Sequence, residues 1–298
     1  MLKKISLLLC FVLAACGAEA PQEEVEQRIV TVGGDVTEIV YALGAGDRIV
    51  ATDSTSVYPA EALETEKIGY VRRLSAEGVL ATNPDMILIS GAAGPEEALE
   101  QIRDVGVEIV EMPTDYSMQG IIGKVRLVAE AIGEVERGEE MVAELEQSWS
   151  EAQAEIAQFE APPRALFFST LREGVPQAAG QETAANGVIE LLGGTNLFGS
   201  QSGYTAISSE AAVAANPDMI LVMTHDAAEN GGFDGMVTNP AITLTDAVAR
   251  NRVFMVDSVQ IMQFGPRTPD AIKELAVAIN EGRQAFEAVP QGPPRSGD

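Results

Sequence analysis

Leu74-Ser75-Ala76-Glu77-Gly78-Val79-Leu80-Ala81-Thr82-Asn83-Pro84-Asp85-Met86-Ile87-Leu88 recurs further along the chain as Ile207-Ser208-Ser209-Glu210-Ala211-Ala212-Val213-Ala214-Ala215-Asn216-Pro217-Asp218-Met219-Ile220-Leu221. In each copy a serine, Ser75 or Ser208, stands where it caps a short helix, and a glutamate, Glu77 or Glu210, falls in that helix's positive first turn. Asn-Pro-Asp then turns the chain into an apolar run that reads as a buried strand. Gly69-Tyr70 precedes the first copy and Gly203-Tyr204 the second, with one residue fewer in the second spacer. Two copies describe one supersecondary unit used twice, not a solenoid.

Outward from the first copy, short strands alternate with helices. Arg28 to Val32 is β-rich, and Gly33-Gly34 leads to Asp35, which reads as the N-cap of a helix carrying Ile39, Val40 and Leu43. Gly44 and Gly46 end that helix, and Ile49-Val50-Ala51 begins the next strand. Met86 to Ile89 and Glu108 to Val110 read as strands, with helical spacing from Pro95 to Val105 between them. This alternation implies a parallel sheet with right-handed crossovers.

From Ser117 to Phe159 the strand signal vanishes. Met141, Leu145, Trp149, Ala152, Ile156 and Phe159 recur every three or four residues, with glutamates on the opposite face. Pro162-Pro163 stops the pattern and Arg164 to Ser169 restarts strand character. A long helix, broken at Gly133 or Gly138, therefore bridges two lobes. Arg267, in Phe264-Gly265-Pro266-Arg267-Thr268, opens a last helix buried through Ile272, Leu275 and Ile279, and reads as structural. The expected fold class is α/β: two doubly wound α/β lobes joined by one long helix, with a ligand cleft between them.

The N-terminus reads as an export signal. Lys3 and Lys4 precede an apolar run, Ile5 to Ala15, too short to span a bilayer permanently. Leu13-Ala14-Ala15-Cys16 resembles a bacterial lipobox, in which the signal is cut before the cysteine and the thiol carries lipid. Of the two cysteines, Cys10 leaves with the signal, so no internal disulfide remains, and lipidation removes the free thiol of Cys16. The expected organisation is a signal at 1–15, a small acidic tether at 16–27, lobes at 28–133 and 162–289, a linking helix at 134–161, and a disordered Pro/Gly-rich tail at 290–298. Loss of Lys3 and Lys4 leaves 17 basic against 45 acidic residues, a net charge of −28 that argues against nucleic acid and against electrostatic adhesion to anionic lipid.

The layout resembles the rigid-helix class of periplasmic binding proteins, which serve cobalamin, siderophore and haem importers. The resemblance runs from about Arg28 to Val289 and rests on the Gly33 to Glu38 opening, Gly-Gly-Asp-Val-Thr-Glu, and on the paired Asn-Pro-Asp segments. Gly69-Tyr70-Val71-Arg72-Arg73-Leu74-Ser75-Ala76-Glu77-Gly78 is similar to the haemin-binding branch, where Gly-Tyr-x-Arg-x-Leu-Ser-x-Glu-Gly carries the axial tyrosine. Gly203-Tyr204 with Ile207 to Ala211, and the stretch Ala178 to Asn186, resemble the same branch.

The resemblance implies a lipoprotein that takes haem b as transported ligand, uses no catalytic cofactor, and hands its cargo to an ABC permease dimer with its ATPase. Its only contact with membrane is the lipid anchor, on the periplasmic side or on the outer cell surface where no outer membrane exists. Tyr70 is then the axial ligand to haem iron. Phenolate oxygen suits ferric haem, but a free tyrosine has a pKa near ~10 and binds as an anion only if the phenolate is stabilised. Arg72 or Arg73 can supply the positive charge, the family pattern favouring Arg72, and the other can meet a propionate. Tyr204 either packs on the porphyrin, ligates, or is simply structural. His225, the only histidine, follows the apolar run Met219 to Thr224 and reads either as a second axial ligand or as a hydrogen-bonded side chain at a strand end. The family also implies that Glu77 and Glu210 dock onto permease arginines, a role compatible with helix capping.

Enzyme chemistry finds no footing. The sequence has no Gly-x-Ser-x-Gly, no phosphate loop and no histidine–carboxylate metal motif, and one histidine excludes most triads. The nearest rivals are cobalamin or a ferric siderophore in the same fold. Cobalamin pockets of this superfamily tend to be tryptophan-rich, whereas this chain has one tryptophan, and siderophore sites often spread arginines over both lobes. A purely structural lipoprotein would not need two lobes with matched carboxylates.

Overall fold

The computed structural model describes residues 27–170, 176–224 and 232–282. The segment expected as a signal at 1–15, Cys16, the expected tether up to residue 26, His225 and the expected tail at 290–298 lie outside the described residues.

The first lobe comprises β1 (Ile29–Val32), α1 (Gly34–Ala42), β2 (Ile49–Thr52), β3 (Glu66–Lys67), α2 (Ala76–Leu80), β4 (Met86–Ser90), α3 (Glu96–Asp104) and β5 (Glu108–Met112). Its sheet has the order β3-β2-β1-β4-β5 with every pair parallel. The order reverses between β1 and β4, which is where an open α/β sheet forms a crevice. Two helices follow, α4 (Met118–Ile132) and α5 (Val135–Ile156). The break between them is at Gly133, whose φ of 80° ends α4 in a left-handed cap, while Gly138 lies inside α5, pressed against Ala129 of α4.

The second lobe runs through β6 (Arg164–Thr170), β7 (Gln177–Ala179), α6 (Ala184–Leu191), β8 (Thr195–Asn196), β9 (Tyr204–Ala206), α7 (Ser209–Ala215) and β10 (Met219–Met223). It continues with α8 (Gly232–Val237), α9 (Pro240–Thr243), α10 (Asp246–Ala249), β11 (Val253–Val256), α11 (Ser258–Ile261) and α12 (Thr268–Glu281). Its sheet, β11-β10-β6-β7-β9 with β8 also on β6, is parallel around β10 and antiparallel through β7 and β9.

The repeated segment has the same structure twice. Ser75 accepts the backbone N–H of Gly78, and Ser208 that of Ala211. Asn83 and Asn216 take left-handed backbones, φ 49° and 46°, because the following proline disfavours the right-handed helix there. Each copy then enters a fully paired inner strand, β4 or β10.

Packing joins the lobes more tightly than a tether would. One core holds α1, α4, α5, α6 and α12 with residues of both sheets, from Ile29 and Leu88 to Phe167, Phe254 and Leu275. The outer faces of the two sheets are covered separately, by α2 and α3 in the first lobe and by α7 and α9 in the second.

A polar seam completes the junction. Lys124 of α4 is 4 % exposed and donates to Asp35 Oδ2 at 2.6 Å and to the carbonyl of Phe264 at 2.6 Å. Asp35 is thus an ion-pair partner in the first turn of α1, not its cap; Gly33 occupies the cap position, without a side-chain bond. Phe264 holds a left-handed backbone, φ 53°, a conformation costing about 1–3 kcal/mol in a bulky residue. Glu38 of α1 meets Arg267 through Nε at 2.9 Å and the backbone N–H at 3.2 Å, and Gln263 Nε2 reaches the carbonyl of Thr55 at 3.2 Å.

Removing Lys124 leaves Asp35 buried without a counter-charge. Lys124→Ala should lower stability by about 3–5 kcal/mol, read from urea unfolding, whereas Asp35→Asn combined with Lys124→Met should cost less than Lys124→Ala.

Candidate functional site

The loop between β3 and α2 is pinned by alternate side chains. Val71 and Leu74 are 8 % and 6 % exposed and sit in the first lobe's outer core, which turns Tyr70, Arg72 and Arg73 outward. Gly69 has φ 105°, a backbone open to glycine, and its carbonyl accepts Ser54 N–H at 2.7 Å. Val71 and Leu74 are both hydrogen-bonded to Gly94, and Arg73 N–H closes a turn on the Tyr70 carbonyl at 2.7 Å. Tyr70 is thereby 39 % exposed at the carboxyl end of the first sheet, with the Arg73 guanidinium 5.7 Å from its ring centroid. The arginine over the Tyr70 ring is Arg73. Arg72 instead acts electrostatically on Tyr116 and on Tyr204 of the other lobe.

In the second lobe Gly203, φ 71°, precedes Tyr204 as Gly69 precedes Tyr70. Tyr204 opens edge strand β9 opposite Ala179, and the stretch after β7 turns tightly into α6. Gly180 is needed in that turn, because a Cβ there would lie 2.1 Å from the Gln201 carbonyl oxygen. Thr183 caps α6 by accepting Asn186 N–H at 3.1 Å. Tyr204 is 39 % exposed. Burial raises that phenol's pKa and nearby Tyr116 adds to the rise, against hydrogen bonding from Ala185 and Thr183 and the charge of Arg72. Tyr116 is raised as well, chiefly by burial. Tyr204 is therefore a neutral phenol at physiological pH.

The two glutamates sit at equivalent, exposed helix starts, Glu77 in α2 and Glu210 in α7. The Glu210 carboxyl is held below the usual range by its own backbone N–H and by Ser208. The structure thus places Tyr70, Arg72 and Arg73 on a loop of the first lobe and Tyr204 on edge strand β9 of the second, with Arg72 acting electrostatically on Tyr204, while Cys16 and His225 lie outside the described residues.

Several residues of the junction had no signal in the sequence. Tyr58 stacks on Arg267, 3.6 Å from guanidinium to ring centroid, and Asp53 accepts from Gly33, Thr55 and Ser56 below the β1–α1 turn. Only Arg267, at the start of a helix, and the Gly-Gly-Asp-Val-Thr-Glu opening were visible beforehand.

Two α/β lobes, a rigid helical junction and a tyrosine segment in each lobe define a two-lobed solute-binding protein. The match to the periplasmic binding protein family covers residues 29–259, and the chain belongs to that family. It is a substrate-binding component of ABC-type uptake, not an enzyme. Among solved structures it is similar to the periplasmic haem-binding protein RhuT from Roseiflexus sp. RS-1 in apo form, 36 % identical over 87 % of this chain and 100 % of that one, with a TM-score of 0.79. Among curated proteins it is similar to the uncharacterised ABC transporter substrate-binding lipoprotein YvrC of Bacillus subtilis, 25 % identical over 85 % of this chain and 80 % of the relative. It is also similar to the vitamin B12-binding protein of Vibrio parahaemolyticus, 26 % identical over 92 % of this chain and 96 % of the relative. Among the described residues no helix is long and apolar enough to cross a membrane.

Because the folded-state pKa of Tyr204 and of Tyr116 lies above the free value of 10.0, their contribution to stability is complete below that pH and is lost as pH rises through the folded values. An ultraviolet phenolate titration should show a late portion contributed by Tyr116 and Tyr204. Tyr204→Phe and Tyr116→Phe should each remove one phenol from that late portion.

Proposed function

We propose that the chain captures ferric haem between its lobes, with Tyr70 as axial ligand to iron, and delivers it to an ABC permease dimer. The observation that carries this reading is the outward-held Tyr70 with the Arg73 cation over its ring, on a loop fixed by buried Val71 and Leu74. A hard phenolate oxygen suits ferric iron, and the exposed tyrosine leaves its oxygen accessible to a ligand. Arg72, directed to the far lobe, serves a propionate. Tyr204 packs on the macrocycle, since burial disfavours its phenolate. Similarity to RhuT supports the same cargo.

Cobalamin is the second reading, favoured by the relatives named as vitamin B12-binding. Against it, the single tryptophan, Trp149, packs on the core through α5 and does not serve a cleft. Signal cleavage before Cys16, lipidation of that thiol and residence at the outer face of a membrane complete the proposal, together with lobes at 28–133 and 162–289 linked by 134–161. His225 is retained as a possible second axial ligand, to be judged by substitution.

Haemin titration of the wild type should give a tyrosinate–ferric charge-transfer band that Tyr70→Phe abolishes with the fold intact. An unchanged band in Tyr70→Phe overturns the ligand assignment, and saturable cyanocobalamin binding without haemin binding overturns the cargo. His225→Ala should leave the spin state unchanged unless the histidine ligates.

Glu77 and Glu210 are proposed to dock onto permease arginines, one per lobe. Exposed pairs contribute only ~0–1 kcal/mol each, so a single Glu→Ala change should reduce uptake modestly. Glu77→Lys combined with Glu210→Lys should abolish delivery while haem binding persists; normal uptake by that protein assigns both carboxylates to helix capping alone.

A further inference from the structure

We propose that Tyr116 is a third aromatic contact of the ligand cleft, a specificity-determining residue whose ring packs on the bound macrocycle and whose position is set by the second lobe. The proposal rests on the haem reading of the cleft given above.

Tyr116 lies between β5 and α4, at the carboxyl end of the first sheet, the end that also carries the Tyr70 loop. It belongs to the first lobe but is seated on the second. Its ring lies 5.2 Å from that of Phe264 at 59°, a tilted aromatic pair. Gly187 of α6 makes room for it: a Cβ there would come within 2.6 Å of the Tyr116 Cβ and 2.8 Å of Phe264 Cζ. Phe264 is itself fixed, because Lys124 holds its carbonyl in the left-handed backbone. The chain of contacts from the buried Lys124–Asp35 pair therefore ends at the Tyr116 ring.

The other end of that ring is not in the core. Tyr116 is half-buried, and its phenol interacts electrostatically with Arg72 of the first lobe and with Tyr204 of the second. The ring is braced from behind by Phe264 and by the close approach of Gly187, while the phenol's electrostatic neighbours belong to the tyrosine segments of both lobes. A braced ring adds contact area with no further loss of rotamer freedom when a flat ligand arrives.

The test compares haemin titrations of the wild type, Tyr116→Phe, Tyr116→Ala and Gly187→Ala, each with a thermal unfolding curve. Tyr116→Phe keeps the ring and should bind within about twofold of wild type, while Tyr116→Ala should bind about tenfold more weakly. The charge-transfer band should be unchanged in both, because Tyr70 is intact. Gly187→Ala leaves every cleft side chain present but displaces Tyr116, and should weaken binding comparably. Wild-type affinity in a folded Tyr116→Ala protein overturns the proposal, and if that variant does not fold, wild-type affinity in Gly187→Ala overturns it. Absence of haemin binding by the wild type overturns the cargo reading and this proposal with it, an outcome separate from equal affinities across the series.

Discussion

A single ammonium group, Lys124 Nζ, is buried between a carboxylate of the first lobe and a backbone carbonyl of the second. Much else depends on that arrangement. It neutralises Asp35 at the start of α1, where an unpaired charge would be untenable. It also holds Phe264 in a backbone conformation that a bulky side chain avoids. With Phe264 fixed, the segment from Gln263 to Arg267 lies against Gly34 and Glu38, beside the point where the strand order of the first sheet reverses. The crevice that an open α/β sheet ordinarily offers to a ligand is thus taken by the protein's own second lobe. On the proposed reading the ligand site lies further out, at the segments after β3 and before α7.

That displacement suits a protein that must hold a large cargo and release it on contact with a partner. The lobes share one apolar core through α4, α5 and α12, so relative motion has to deform close-packed side chains. A helix also resists bending better than an extended hinge, so closure on ligand is expected to be small. Selectivity then comes from what the pre-set loops present.

The two tyrosines show how equivalent positions acquire different chemistry. Both follow a glycine in a positive-φ backbone, and both precede a serine-capped helix. Tyr70 is set beside a cation on an exposed loop, whereas Tyr204 sits on an edge strand with its ionisation suppressed by burial. Fold alone does not choose cargo, as relatives named for haem and for vitamin B12 make plain. On the proposed reading the choice rests with a few side chains around the two tyrosines.

Local chemistry was readable along the chain. Ser75 and Ser208 cap helices, Asn83 and Asn216 turn left-handed before proline, and Gly133 ends α4, because each effect acts over a few residues and leaves a signature there. The alternation that announced two α/β lobes has the same origin, as burial on sheet and helix faces repeats at fixed spacing. The candidate tyrosine loop was legible through its pattern, Gly-Tyr before a capped helix. What the pattern did not contain was direction. Asp35 read as a helix cap and is an ion-pair partner; Arg72 and Arg73 both read as candidate companions of Tyr70, and Arg73 is the one that stands over its ring. Lys124, Phe264 and Gly187 carried no motif at all, since their partners lie far away in the chain and in the other lobe. The amino-acid sequence by itself determined the elements, their order and the chemistry available at each loop. Only the tertiary structure decided which charges are buried together and which side chains face the cleft, because both depend on distances that exist only once the lobes have packed.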